Sequence, residues 1–313
     1  MRLLVVGAGS TGAYFGGRLA AAGRDVAFLV REKRAAQIRA NGLSIKSPHG
    51  DFSFAPRVLT ASGLNAPFDA VLLTVKAFSI EAALRDVAPA IGPKTMILSV
   101  LNGMRHLDVI GERFGAEAIV GCVCKVATTL DANGHVIHLM PLHELAYGER
   151  SGAPSTRTAD LNAFMSNAGF DARLTATIER EMWEKWTMLS ALGATTCLMR
   201  GTIGDIVAAS GGLDFLNAMI DEIVSVVRAV GEAPSAPFLE ATRRQLTAAG
   251  SPFASSMYRD LQQGAPIEAD QIVGDLLLRA KGLGLATPLL ATAYAHLRVY
   301  QNHVDAKAGA ANG

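Results

Sequence analysis

Apolar residues come in short continuous runs through the first half of the chain. "RLLVV" (2–6), "DVAFLV" (25–30), "FDAVLLTVK" (68–76), "TMILSV" (95–100) and "AIVGCV" (118–123) each suit one strand. Helix-compatible segments, beginning with "TGAYFGGRLAAAG" (11–23), lie between most of them. Unbroken apolar strands alternating with helices predict an α/β fold: a doubly wound parallel sheet covered on both faces, with right-handed crossovers.

Beyond about Leu174 the strand signals stop. Residues 176–200, 211–231, 236–249 and 268–303 carry apolar positions at helical spacing. Ser251-Pro252, Gly264-Ala265-Pro266 and Thr287-Pro288 supply breaks or first-turn prolines. The change of pattern places a boundary near 170–178. The expected organisation is an α/β domain over 1–174, an all-helical domain over 175–304 and a small polar tail, 305–313, expected to fray and be flexible.

Half of the 313 residues are hydrophobic and 18% are charged, the balance of a folded globular chain. A formal charge of +1 gives no electrostatic case for nucleic acid or an anionic membrane as partner. No apolar run reaches the roughly 20 residues that span a bilayer. The start, "MRLLVVGAGSTGAYFGG", mimics a signal peptide, but its glycines interrupt the apolar core and Arg18 follows within an amphipathic pattern. Three cysteines do not make a disulfide framework. Cys122 and Cys124 share a strand face without further ligands and read as reduced core thiols, which implies a cytoplasmic protein.

The first chemistry lies in Gly7-x-Gly9-x-x-Gly12, directly after a strand and opening a helix. Gly7 permits the tight turn, Gly9 lets a pyrophosphate approach the backbone, and Gly12 allows close helix–strand packing. Ser10 and Thr11 stand between the last two glycines, where the helix N-terminus offers free N–H groups to phosphates. This predicts a Rossmann dinucleotide site; the alternative is a ligand-free glycine turn. About 20 residues on, where NAD sites place an acid, stands Arg31 of "FLVREKR", with Lys33 and Arg34 close by. A cation there pairs with a 2′-phosphate, so NADP(H) is the expected cofactor. A solvated basic loop is the plain alternative.

Ligands in such sheets bind outside the carboxyl ends of the strands. Lys76 and Asn102 fall at two of those ends and are candidates to contact nicotinamide or substrate. In "GHVIHLMPLHELAYG", which looks like strand, turn and strand, His135, His138 and His143 invite a metal reading. His135 and His138 would face opposite sides of a strand, so all three are expected to be solvent-facing or interfacial, with no metal.

In the helical half, "EMWEKW" sets Lys185 between Trp183 and Trp186, at the head of fourteen residues without a formal charge. An amine partly desolvated in such a place is a candidate proton donor. A lysine snorkelling from a helix end is the bland alternative. "MWEKW" (182–186) and "SSMYRDLQQGAPIEAD" (255–270), together with GAGSTG, "TVKAFS" and "LNG", resemble the ketopantoate reductase (2-dehydropantoate 2-reductase) family from Met1 to about Asn302. The resemblance implies a Rossmann domain followed by a helical domain, with the active site in the cleft. It also implies reduction of 2-dehydropantoate to pantoate with NADPH, a step toward pantothenate. By that likeness Lys185 is the proton donor, and Glu268 positions it and touches substrate. Ser256 and Asn102 hold the substrate, Lys76 lines the cofactor and substrate cleft, and Arg31 recognises the 2′-phosphate.

The likeness breaks on Lys185's own helical face. The family usually has asparagines four and eight residues later; here stand Leu189 and Gly193. An apolar replacement forfeits the discrimination an amide gives toward a hydroxyl, so a 2-oxo acid with a more apolar or bulkier end is expected. Ser190, Thr195 and Thr196 are the nearby groups that could compensate. Two other functions stay open: a non-catalytic NADP(H)-binding sensor or regulatory protein with a vestigial cleft, and a different Rossmann dehydrogenase working in the oxidative direction. The helical domain is apolar enough to support a homodimer, and burial within one chain accounts for the same residues equally well.

Overall fold

The computed structural model describes residues 1–311, which gather into two compact units. The first comprises Met1–Leu101 and His106–Glu179; the second takes Asn102–Arg105 and the chain from Arg180 onward.

The first unit contains ten strands: β1 (Arg2–Val6), β2 (Asp25–Leu29), β3 (Leu43–Lys46), β4 (Phe52–Phe54), β5 (Arg57–Leu59), β6 (Ala70–Leu73), β7 (Met96–Ser99), β8 (Ile119–Leu130), β9 (Val136–Gly148) and β10 (Asp171–Leu174). Nine lie in the order β4-β3-β9-β8-β7-β6-β1-β2-β5, and β10 pairs with β9. β5, β2, β1, β6, β7 and β8 run parallel. Their central members are buried along almost their whole length, as their unbroken apolar runs require. The chain leaves β1 for β2 on one side and returns to β6 on the other. That reversal is the topological switch point where ligands of open α/β sheets bind. The helices of this unit are α1 (Ser10–Ala21), α2 (Glu32–Asn41), α3 (Ile80–Val87), α4 (Arg105–Phe114, whose first residue clusters with the second unit) and α5 (Thr156–Met165).

The sheet is mixed rather than wholly parallel, because β8 and β9 form a long antiparallel pair. The segment expected to be strand, turn and strand is the single strand β9 with a bulge in it. Val126 pairs with His143 and Thr128 with His138, so a step of two on β8 faces a step of five on β9. The surplus falls at Leu139-Met140-Pro141-Leu142, whose three apolar side chains are exposed. Pro141 cannot donate to the ladder, and a bulge is where a strand accommodates it.

The bulge corrects the expectation for two of the histidines. In an unbroken strand, positions 138 and 143 point to opposite faces; here both are inside, 4% and 7% exposed, with their rings stacked at 5.7 Å. His138 Nε2 donates to the Leu142 carbonyl (3.2 Å) across the bulge, and its Nδ1 meets Ser47 Oγ (2.9 Å). The Tyr14 hydroxyl meets His143 Nδ1 at 2.7 Å. His49 stacks on His143 at 3.8 Å and bonds the Pro141 carbonyl. His135 is not part of this cluster.

The second unit is helical: α6 (Ile178–Met199, joining at Arg180), α7 (Ile203–Ala208), α8 (Gly212–Val230), α9 (Ala236–Leu246), α10 (Ser256–Gln262), α11 (Asp275–Gly282) and α12 (Pro288–Ala311). The uncharged run of α6 is buried on nearly every side, the condition for a helix apolar all round. α7 opens on a capping box between Thr202 and Asp205. A π-helical turn, Asp270–Gly274, precedes α11. α12 takes in most of the tail expected to fray: "DAKAGAA" is dominated by alanine, the best helix former, so continuing the helix costs little. Asn312 and Gly313 lie outside the described residues.

Burial, with His49 and Arg18 nearby, holds His138 and His143 below the ordinary imidazole pKa; Tyr14 and Asp171 also face the cluster. An unfolded histidine takes up its proton near pH 6.5. The unfolded chain therefore binds more protons as pH falls below about 6.5, and stability drops over that range while staying intact above it. Urea midpoints measured from pH 7.5 to 5.5 should fall toward the acid end, and a His138→Asn/His143→Asn variant should show a flatter profile. A flat wild-type profile would contradict the assignment.

Candidate functional site

The glycine turn after β1 has the geometry its sequence predicts. Gly7 has φ +98°, open to glycine at little cost. A β-carbon on Gly12 would overlap the Gly7 carbonyl oxygen and Thr74 Oγ1, so only glycine lets α1 pack this closely. A β-carbon on Gly9 would meet nothing within 4 Å. Gly9 is the N-cap of α1 and supplies no side-chain cap, which leaves the first N–H groups of Ser10, Thr11 and Gly12 for a ligand. This cradle fits the pyrophosphate of a dinucleotide at the switch point.

Two further residues support the turn, in a role the sequence did not assign them. Thr74, just beyond β6, donates its hydroxyl to the carbonyls of Val6 (3.0 Å) and Gly7 (2.8 Å), pinning the turn across the sheet. Arg34 donates to the Ala8 carbonyl at 3.2 and 3.1 Å, to the Gly134 carbonyl and to Gln37. Burial pulls its pKa down, and its guanidinium is committed to holding the loop. The basic segment thereby divides: Arg34 is structural, whereas Arg31, the N-cap of α2, is exposed and its side chain makes no hydrogen bond or ion pair within the described residues. Lys76 is exposed at the carboxyl end of β6.

In the second unit, Asn102 Nδ2 donates to Glu268 Oε2 at 3.4 Å. Glu268 is 8% exposed. Gly103, at φ +81°, would push a β-carbon onto the Gln271 carbonyl, so the loop carrying Asn102 touches the π turn that follows Glu268. Lys185 sits in the first half of α6, half-buried, beside the buried pair Trp183 and Trp186 (ring centroids 5.3 Å apart). Trp186 Nε1 and Ser190 Oγ both donate to the Ile272 carbonyl, at 2.9 and 2.8 Å. Ile272 N–H in turn donates to the Glu268 carbonyl at 3.1 Å. Lys185 is thus the residue before one member of a hydrogen-bonded junction, Trp186, and Glu268 is itself another member through its carbonyl.

The SSM segment also divides. Ser255 is the buried N-cap of α10, accepting from Tyr258 N–H and meeting Thr196 Oγ1. Ser256 follows it, exposed. Asp270, the last residue of E-x-D, receives Tyr294 Oη (2.8 Å) and Arg298 (3.0 Å), which ties the π turn to α12.

The hydroxyls near Leu189 and Gly193 are engaged elsewhere. Ser190 is spent on Ile272, Thr195 on the Ala191 carbonyl, and Thr196 on the Leu192 carbonyl and Ser255. At Gly193 a β-carbon would lie 2.8 Å from Met257 Cε, so the Met257 side chain occupies the space a longer residue would need. Met257 is itself buried.

Residues 3–152 match the model of the family described as Ketopantoate reductase PanE/ApbA, and residues 177–301 match its C-terminal counterpart. The chain is 36% identical to the uncharacterized oxidoreductase YkpB of Bacillus subtilis, covering 96% of this chain and 99% of that protein. It is 30% identical to a 2-dehydropantoate 2-reductase of Mesorhizobium japonicum, over 95% and 97% of the two chains. The crystal structure of 2-dehydropantoate 2-reductase from Geobacter metallireducens superposes with a TM-score of 0.84 at 27% identity, over 95% and 99% of the two chains. With both halves matched and the fold shared throughout, this chain belongs to the ketopantoate reductase PanE/ApbA family of oxidoreductases.

Proposed function

We propose that the protein reduces a 2-oxo acid to the 2-hydroxy acid with NADPH, using Lys185 as proton donor, and that its substrate is more apolar or bulkier than 2-dehydropantoate. The observation that carries this reading is the Trp186–Ile272–Glu268 junction: it gives the lysine a helix anchored to the same turn as a buried carboxylate and its amide partner, Asn102. Family membership supports the reaction class.

When bound, the reduced nicotinamide supplies the hydride that goes to the carbonyl carbon. The chain's own residues do the rest. Lys185 gives a proton from Nζ to the oxygen as negative charge develops there, and solvent restores it. Glu268 orients the amine and a substrate hydroxyl or carboxyl, Asn102 fixes the Glu268 carboxylate, and Ser256 donates to substrate. Ser10, Thr11 and the three glycines hold the phosphates; Lys76 contributes a cation to the cofactor and substrate region. Arg31 selects the 2′-phosphate, a role favoured by its exposure and by a side chain that no other described residue engages.

The substrate preference rests on Leu189, Gly193 and Met257. Two amides are gone, and a buried thioether fills part of the space. A site without those amides has nothing to leave unpaired when the substrate lacks a hydroxyl. The sensor reading draws on the same loss, and turnover separates the two.

Lys185→Ala should lower kcat by roughly 10²- to 10⁴-fold while NADPH affinity is retained. Wild-type kcat/KM for branched or aromatic 2-oxo acids should exceed that for 2-dehydropantoate; a wide margin the other way defeats the substrate claim. Tight NADPH binding with no turnover on the panel would favour the sensor. Arg31→Gln should raise KM for NADPH about tenfold or more, the usual worth of a charged hydrogen bond, with NADH little affected. Equal effects on both cofactors would remove Arg31 from 2′-phosphate recognition.

A further inference from the structure

Arg18 lies on α1 eight residues beyond Ser10, about 12 Å along the helix from the glycine turn. It is only 8% exposed, yet no carboxylate lies within ion-pair distance of it among the described residues. Nη2 donates to Ser47 Oγ at 2.9 Å. The rings of Tyr14 and Phe52 lie 5.1 and 5.3 Å from the guanidinium carbon. Nε is buried without a hydrogen-bond partner. A guanidinium is a permanent cation in proteins, and two aromatic faces compensate only part of its desolvation.

This arginine borders a pocket of about 540 Å³, within the usual range for small-molecule sites. His49, His143 and the turn from Ser166 to Ala172 form the other walls. Gly169, at φ +76°, leaves the guanidinium edge uncovered: a β-carbon there would come within 3.3 Å of Nη1. His143 has Nδ1 engaged by the Tyr14 hydroxyl, which leaves Nε2 as its unengaged ring nitrogen.

A metal is the obvious competitor, because ligand atoms of His49, His138 and His143 lie within 4.8 Å of one another. The geometry speaks against it. Both ring nitrogens of His138 are already hydrogen-bonded. His49 and His143 stack with 14° between their planes, so their in-plane lone pairs run side by side instead of converging on one point. A neighbouring guanidinium also repels a cation.

We propose that this pocket binds the oxyanion of a small organic molecule, a carboxylate or a phosphate, through Arg18 with His143 Nε2–H as second donor. The ligand supplies the counter-charge that the chain withholds from Arg18. Asp171, exposed on the pocket wall, opposes the anion and sets a limit on its affinity. The site is separate from the dinucleotide cradle and independent of the reaction assigned above.

The test is histidine-ring NMR on the full-length protein, titrated with inorganic phosphate and, separately, with succinate; His49→Asn and His143→Asn spectra assign the signals. Saturable shifts of the His143 signal are expected with at least one probe, and which probe acts tells phosphate from carboxylate. Binding at the Arg31 region would not move these rings. Arg18→Gln should raise Kd more than tenfold, the worth of a charged hydrogen bond. Asp171→Asn, an exposed change that spares the core, should tighten binding a few-fold. No saturable shift with either probe, shifts that survive Arg18→Gln, or weaker binding in Asp171→Asn would each overturn the site.

Discussion

One carbonyl oxygen organises the helical unit. Ile272 O, inside the π turn, accepts from both Trp186 and Ser190 of α6. A buried hydrogen bond contributes about 1 kcal/mol net, but a buried carbonyl left without a partner costs about 1–3 kcal/mol, so the turn and the helix hold each other in place. Arg279 reinforces the junction, lying over both Trp183 and Trp186 while paired with Asp275. On the other side of the turn, a β-carbon at Gly274 would lie 2.6 Å from the Tyr294 ring, and Asp270 binds Tyr294 and Arg298. The positions of Lys185 and Glu268 are consequences of this joint. Widened turns of this kind are often found where a helix serves a site.

The two candidate constellations differ in what holds them. The glycine cradle depends on exclusion: Gly12 has no room for a side chain, and Thr74 and Arg34 tie down the backbone around it. The Asn102–Glu268 pair depends on polar bonding in a largely buried place. Between Lys185's helix and α10, apolar volume takes over, with Met257 against Gly193.

How much of this was legible in the sequence follows from how local each feature is. The core strands, the long helices and the glycine turn declare themselves because a few adjacent residues suffice to specify them. β3, β4, β5 and β10 were not legible: they are three or four residues long, β3, β5 and β10 are defined by partners distant in sequence, and β4 is an edge strand that depends on β3. The division of Arg31 from Arg34, or of Ser255 from Ser256, depends on which side chain meets a remote carbonyl or hydroxyl. His49 lies about 90 residues before His138 and 143, and nothing in its own neighbourhood announces the cluster. Thr74 could have been found: a threonine ending an apolar run at a strand's carboxyl end has a hydroxyl in need of a carbonyl.

The bulge in β9 makes chain length, more than residue identity, the quantity under constraint at 139–142. Surface loops usually tolerate an added or lost residue. Here the surplus is odd, and that parity alone brings His138 and His143 to one face although an odd number of steps separates them. Removing one residue would turn everything from His143 to Gly148 inside out, or force the whole pairing with β8 and β10 to slip. Substitutions among the exposed side chains of this stretch should be well tolerated, whereas related chains that keep the cluster should keep its length.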